Sequence, residues 1–82
     1  GSVPGVAPAS VVIIGAGVVG TSAAKAFSGL GAQVHVLDHN IDQLRRIKRL
    51  LGDRVTTLYA DQSAIEKSLQ FADVAVAAIL KH

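Results

Sequence analysis

Short apolar runs alternate along the chain with segments that carry helical periodicity. The runs predict β-strands at Val11–Ile14, Gln33–Leu37, Val55–Tyr59 and Val74–Ile79. The segments between them predict helices from Val18 to Leu30, from Asn40 or Asp42 to Gly52, and from Ser63 to Phe71. Because apolar strands alternate with amphipathic helices, the pattern is typical of a parallel sheet covered by helices.

The ends and faces of the helices carry further signals. Ser63 and Glu66 have the Ser-x-x-Glu spacing of a capping box, and Asp61 is another capping side chain just before it. Gly31 is the predicted stop of the first helix. Small side chains are predicted to let that helix lie close to the sheet, at Ala23, Ala24 and Ala26.

Connectivity then predicts the order of the strands. Right-handed crossovers give a four-stranded parallel sheet of order 3-2-1-4 with helices on both faces, an α/β fold in residues 11–82. Residues 1–10 are predicted to be an extended lead-in that begins with Gly1-Ser2, a pair typical of a cleaved purification tag. The sheet would end on an apolar fourth strand, and such an open edge favours a homodimer or a larger oligomer.

A glycine-rich turn joins the first strand to the first helix. Its sequence, Gly15-Ala16-Gly17-Val18-Val19-Gly20, has the spacing of a dinucleotide-binding turn. In such turns the first glycine permits the tight bend, the second lets the backbone approach a pyrophosphate, and the third lets the helix pack closely. The free N–H groups around Val18 and Val19 would face the phosphates at the positive end of the helix dipole.

Asp38 closes the second apolar run, about 20 residues after the glycine-rich turn. A carboxylate at this place accepts hydrogen bonds from the adenosine ribose and repels a 2′-phosphate, so NAD is predicted rather than NADP. The alternative is an engineered or minimal Rossmann scaffold that self-associates and has no ligand, its glycines serving only a close turn.

Composition narrows the classes of function. The 82-residue chain has no cysteine, which excludes disulfides and thiolate metal sites. Its formal net charge of +2 is too small to indicate nucleic-acid binding. No apolar run approaches the roughly 20 residues that span a bilayer, and no charged leader precedes an apolar segment. No membrane partner is expected, and the expected location is the cytoplasm.

Two histidines and a basic helix face are further candidates for chemistry. His35 and His39 would lie about 13 Å apart along an extended strand, too far to share a metal unless the chain turns sharply. His39 is also a candidate to stack near an adenine or to contact the ribose. The second helix has basic residues without interleaved aromatics, at Arg45, Arg46, Lys48 and Arg49. This pattern favours a solvated face over binding of nucleic acid or of a 2′-phosphate.

Several sequence runs together resemble the NAD-binding domain of alanine dehydrogenases over nearly the whole chain. They are Gly5-Val6-Ala7-Pro8, the glycine-rich turn with its helix, Gly31-Ala32-Gln33-Val34, Leu37-Asp38, the run from Arg54 to Tyr59, and Ala72-Asp73-Val74. Proton-translocating transhydrogenases look similar over a shorter stretch. The resemblance implies a Rossmann-like domain beside a cleft in which L-alanine is deaminated to pyruvate and ammonia with NAD.

The resemblance also implies where the cofactor would lie. The implied contacts are Gly15, Gly17, Val18 and Val19 to the pyrophosphate, Asp38 to the ribose, Ala60 and Asp61 to the adenine, and Ala78, Ile79 and Leu80 beneath the cofactor. The family's substrate-binding arginine, lysine and histidine and its catalytic aspartate have no match in this chain. The implied function is therefore an NAD(H)-binding module without dehydrogenase activity of its own.

The chain departs from the family pattern at three places. His35 and His39 stand where the family tends to have a small or apolar residue, and the second helix is unusually basic. Lys81-His82 stands in place of the Pro-Gly expected after the fourth strand. Redesign of a domain and simple truncation of a longer enzyme both remain open as explanations.

Overall fold

The computed structural model describes residues 9–79 as one parallel sheet with helices on both faces. The strands are β1 (Ser10–Ile14), β2 (Gln33–Asp38), β3 (Val55–Tyr59) and β4 (Val74–Ala77). The helices are α1 (Val18–Gly29), α2 (Ile41–Leu51) and α3 (Gln62–Phe71), with a short 3-10 turn at Gly52–Arg54. The predicted tag scar and lead-in up to residue 8, the implied cofactor contact of Leu80, and Lys81-His82 lie outside the described residues.

The strand order confirms the predicted topology. The sheet runs β3-β2-β1-β4, and all three neighbouring pairs are parallel. Ile14 at the end of β1 is in register with Leu37 of β2 and with Ala77 of β4. The turns that leave these three strands therefore meet at the carboxyl edge of the sheet, where ligands of such folds bind.

The central strand β1 is buried on both faces, which explains its continuous apolar sequence. Val11 and Ile13 pack in a core with α1 and α2, whereas Val12 packs in a smaller core beneath α3. All three side chains have 0% exposure. Ala24 of α1 is buried and Ala23 partly buried as predicted, but Ala26 is exposed, because it points away from the sheet.

The helix ends agree with the sequence at α2 and differ at α3. Asn40 caps α2, and Gly52 ends it with φ of +59°. The predicted capping box at Ser63 and Glu66 is wrong: α3 begins one residue before Ser63. Asp61 is the cap, and its Oδ1 accepts a hydrogen bond from the Ala64 amide at 2.7 Å, so Ser63 falls inside the helix.

The fourth strand is shorter than predicted and ends at Ala77 instead of Ile79. Its partner β1 ends at Ile14, and the chain of β1 then bends away at Gly15, so the ladder cannot continue. A single further hydrogen bond joins the Ala78 amide to the Ile14 carbonyl at 2.8 Å. Within residues 9–79, no helix has the length and apolar character needed to cross a membrane.

Candidate cofactor-binding site

A cavity of about 410 Å³ lies at the carboxyl edge of the sheet. It is lined by Ile14, Gly15, Gly17, Val18, Val19, Leu37, Asp38, His39, Asn40, Gln43, Ala60, Ile65, Ala78 and Ile79. Most residues predicted to contact a cofactor are thus brought together in one place. Asp61 does not line the cavity, and neither does Gly20, the third glycine of the predicted dinucleotide-binding turn.

The three glycines of the turn meet different surroundings. Gly15 has φ of +115°, and an added Cβ would lie 2.7 Å from the carbonyl oxygen of Ala78. At Gly20 an added Cβ would lie 1.7 Å from the carbonyl oxygen of Gly15, so no other residue lets α1 approach β1 so closely. At Gly17 an added Cβ would meet nothing within 4 Å. Gly17 therefore leaves space on the cavity side, whereas Gly15 and Gly20 are needed by the fold.

The first turn of α1 presents backbone amides to the cavity. Gly17 is the N-cap and has no side chain to bond these amides. Val18 and Val19 are 79% and 50% exposed, and none of the described residues accepts a hydrogen bond from their N–H groups. Unpaired amides at the positive end of a helix dipole favour an anion such as a pyrophosphate.

Backbone amides hold the Asp38 carboxylate in place beside the glycine-rich turn. Its Oδ2 accepts from the Ala16 amide at 2.7 Å, and its Oδ1 accepts from the Asn40 amide at 2.8 Å. A carboxylate has about four acceptor positions, so each oxygen keeps one for a ligand hydroxyl. The Gly15 amide also donates to the Leu37 carbonyl at 2.7 Å, which ties the glycine-rich turn to the end of β2.

The cavity wall beyond Asp38 includes residues that sequence reasoning did not assign to it. Asn40 was predicted only as a cap, and Gln43 and Ile65 carried no signal, because helical spacing does not show which residues two elements bring together. His39, the candidate for a contact with adenine or ribose, lies in this wall and makes an edge-to-face contact with Tyr59, with ring centroids 5.7 Å apart.

Asp61 does not border this cavity, in contrast to the implied adenine contact. Its carboxylate caps α3, and the residue lines a separate cavity between α3 and the strands β2 and β3. The cause is local, because a cap must turn back toward the Ala64 amide.

His35 faces the side of the sheet covered by α3 and contacts Phe71, with ring centroids 5.0 Å apart. Its Nδ1 is buried and has no hydrogen-bond partner among the described residues. Because His39 packs instead on Tyr59, the two histidines have different neighbours. In residues 9–79 no group of three or more potential ligands could hold a metal ion.

The basic face of α2 is only partly a solvated surface. Arg45 and Arg49 are exposed as predicted. The prediction is wrong for Arg46, which is half-buried and hydrogen-bonded to the glycine-rich turn. The Lys48 ammonium donates to the Val55 carbonyl at 2.7 Å and so braces α2 against β3.

Comparison with known proteins identifies relatives of this chain. The family model described as alanine dehydrogenase/PNT, C-terminal domain, matches residues 1–81. The alanine dehydrogenases of Mycolicibacterium smegmatis and Geobacillus stearothermophilus are each 46% identical over 80 residues, 98% of this chain and 22% of each relative. A solved L-alanine dehydrogenase has a TM-score of 0.80 and 49% identity, over 92% of this chain and 21% of its own. The chain thus spans about a fifth of the length of these relatives.

Proposed function

Because the chain belongs to the alanine dehydrogenase/PNT C-terminal domain family, we propose that it is an NAD(H)-binding module. The observation that carries the proposal is one cavity with the open Gly17 backbone and unpaired α1 amides on one wall and the fixed Asp38 carboxylate on another. The amides suit a pyrophosphate, and the carboxylate suits the adenosine ribose. These residues fit the adenosine half of NAD.

The proposed affinity is low. The nicotinamide half would meet only the wall around Ala78 and Ile79, and Ile79 is 66% exposed. Since few contacts would offset the cost of ordering that half, we expect a Kd of roughly 0.1 mM or weaker, about −5.5 kcal/mol.

The isolated chain is proposed to have no dehydrogenase activity. The relatives are named alanine dehydrogenases. The family resemblance implies conversion of L-alanine to pyruvate and ammonia, for which bound NAD would supply the hydride acceptor. The titratable residues that line the cavity are Asp38, which ends β2, and His39, which follows it, and both lie at the proposed ribose side. Neither is placed to move a proton at the nicotinamide side.

Calorimetric titration tests the proposal with fragments of the cofactor. We expect ADP-ribose to bind within about threefold of NAD, because the retained contacts are those to the adenosine half. NADP should bind at least about tenfold more weakly, because Asp38 repels the 2′-phosphate. Nicotinamide mononucleotide binding as tightly as NAD, or no binding of NAD at several millimolar, would contradict the proposal.

Self-association through β4 is a second proposed property. Among the described residues β4 pairs only with β1, and its exposed side chains are Ala75 and Ala77, so no charge blocks pairing at that edge. Sedimentation at tens of micromolar should show a dimer, and Ala75→Lys should shift it toward monomer. Ala26→Lys, at an exposed alanine of α1, is the matched control. A monomeric unmodified chain would exclude this association.

A further inference from the structure

Arg46 lies on α2, but its guanidinium reaches the glycine-rich turn. Its Nη2 donates to the Ala16 carbonyl at 3.1 Å and to the Thr21 hydroxyl at 2.8 Å. Its Nε donates to the Gln43 side chain at 2.9 Å, which holds the guanidinium in place. The side chain of the neighbouring Arg45 is exposed and makes no hydrogen bond to the other described residues.

The chemistry of the guanidinium fixes the direction of the next hydrogen bond. A guanidinium can only donate, so the Thr21 hydroxyl must accept from Arg46 and use its own proton elsewhere. The Thr21 Oγ1 lies 2.7 Å from the Gly17 carbonyl oxygen and 3.4 Å from that of Ala16. Thr21 therefore donates to Gly17. The Ala16 carbonyl is held directly by Arg46. The Gly17 carbonyl accepts hydrogen bonds from the Thr21 amide at 2.8 Å and from the Thr21 hydroxyl, which Arg46 positions.

Each of these carbonyls shares a peptide plane with the N–H of the next residue, so holding the carbonyl also orients that N–H. A trans peptide is planar, and its C=O and N–H point in opposite directions. The described chain has no cis peptide. The Ala16 carbonyl therefore sets the direction of the Gly17 N–H, and the Gly17 carbonyl sets that of the Val18 N–H. Both Gly17 and Val18 line the cavity.

We infer that Arg46 is a positioning residue that acts through Thr21 and Ala16 to aim the amides of Gly17 and Val18 at an anionic ligand. The inference rests on the proposed binding of a dinucleotide at this turn. Arg46 itself does not line the cavity. Its role is to hold the ligand-free turn in the conformation that the pyrophosphate needs, so that less ordering remains to be done on binding.

Four variants test the inference. Arg46→Gln removes the guanidinium and its hydrogen bonds to Ala16 and Thr21, which together form the clamp. Arg45→Gln removes the same charge from an exposed neighbour. Thr21→Val removes the hydroxyl with little change of shape, and Thr21→Ser returns it. The readouts are the Kd for ADP-ribose and the amide signals of Gly17 and Val18 in the proton–nitrogen spectrum of the ligand-free protein. The spectrum also shows whether each variant is folded.

We expect Arg46→Gln and Thr21→Val each to weaken ADP-ribose binding by about tenfold, equal to about 1.4 kcal/mol. Both should displace the Gly17 and Val18 signals before ligand is added. Thr21→Ser should recover the affinity and the signal positions, and Arg45→Gln should change neither.

Two results would overturn the inference. Equal loss of affinity in Arg45→Gln and Arg46→Gln would mean that positive charge alone matters. Unmoved Gly17 and Val18 signals in folded Arg46→Gln and Thr21→Val would mean that the turn does not depend on the clamp. If the unmodified chain binds no ADP-ribose, the proposed function fails. The Gly17 and Val18 signals of the ligand-free variants would still test the clamp, since displaced signals would support it and unmoved signals would refute it.

Discussion

Gly17 and Gly20 lie three residues apart in one turn and serve different needs. An added Cβ at Gly20 would lie 1.7 Å from a backbone carbonyl oxygen, whereas at Gly17 it would meet nothing within 4 Å. A backbone carbonyl cannot move aside without moving β1 or α1. Gly20 is therefore a requirement of the fold, whereas the missing side chain of Gly17 leaves space for the proposed ligand.

Alanine substitutions at Gly17 and Gly20 should distinguish the glycine needed for stability from the glycine needed for ligand binding. Gly20→Ala should destabilise the protein by about 3 kcal/mol or more, as overpacking against backbone does. Gly17→Ala should cost at most about 1 kcal/mol, as the helix N-cap loses a favourable residue. It should nevertheless weaken ADP-ribose binding, because its methyl group would occupy the pyrophosphate approach. Urea unfolding and calorimetry measure the two effects, and equal destabilisation by both variants would contradict this division.

His35 offers a test of an unpaired polar atom. Its Nδ1 is buried without a partner, while its ring contacts Phe71 edge-to-face. Because a buried unpaired acceptor or donor costs about 1–3 kcal/mol, His35→Phe should leave stability unchanged or raise it by about 1 kcal/mol. His39→Phe, at an exposed histidine, is the control. A clear loss of stability in His35→Phe, measured by urea unfolding, would show that the imidazole has a polar role.

At the scale of the elements, sequence patterns predicted most helices and strands and missed details set by neighbours. A local apolar run was enough to predict strand β3, and Asn40 and Gly52 were enough to predict the ends of α2. The start of α3 was missed, since Asp61 and Ser63 are both good caps and the structure uses the earlier one. Arg46 was missed because helical periodicity cannot reveal that a neighbouring turn lies within reach of a long side chain.

Alanine substitutions distinguish the two candidate caps of α3. Asp61→Ala should lower the free energy of unfolding by about 1 kcal/mol, because the Ala64 amide loses its acceptor. Ser63→Ala should be neutral or slightly stabilising, because alanine is the better helix former inside α3. Thermal or urea unfolding of both variants measures this. A larger loss in Ser63→Ala would restore the capping box predicted from sequence.

At the scale of the whole molecule, alternation of strands and helices with right-handed crossovers was enough to predict the sheet order. The same order brings the ends of β1, β2 and β4 together, so the glycine-rich turn and Asp38 could be assigned to one edge from sequence. The neighbours Gln43 and Ile65 could not, since their presence in the cavity depends on how α2 and α3 lie against the sheet.

The most direct test of the central claim is a titration of the chain with NAD, followed by the amide signals of residues 15–20 in a proton–nitrogen spectrum. We expect saturating shifts of Gly17, Val18 and Val19 with NAD and ADP-ribose, much weaker shifts with NADP, and loss of the effect in Asp38→Ala. Since Asp38 also holds the Ala16 amide, the NADP arm tests ribose recognition without disturbing the turn. Signals that stay unmoved at millimolar NAD would contradict the proposed NAD binding and leave a scaffold without a cofactor.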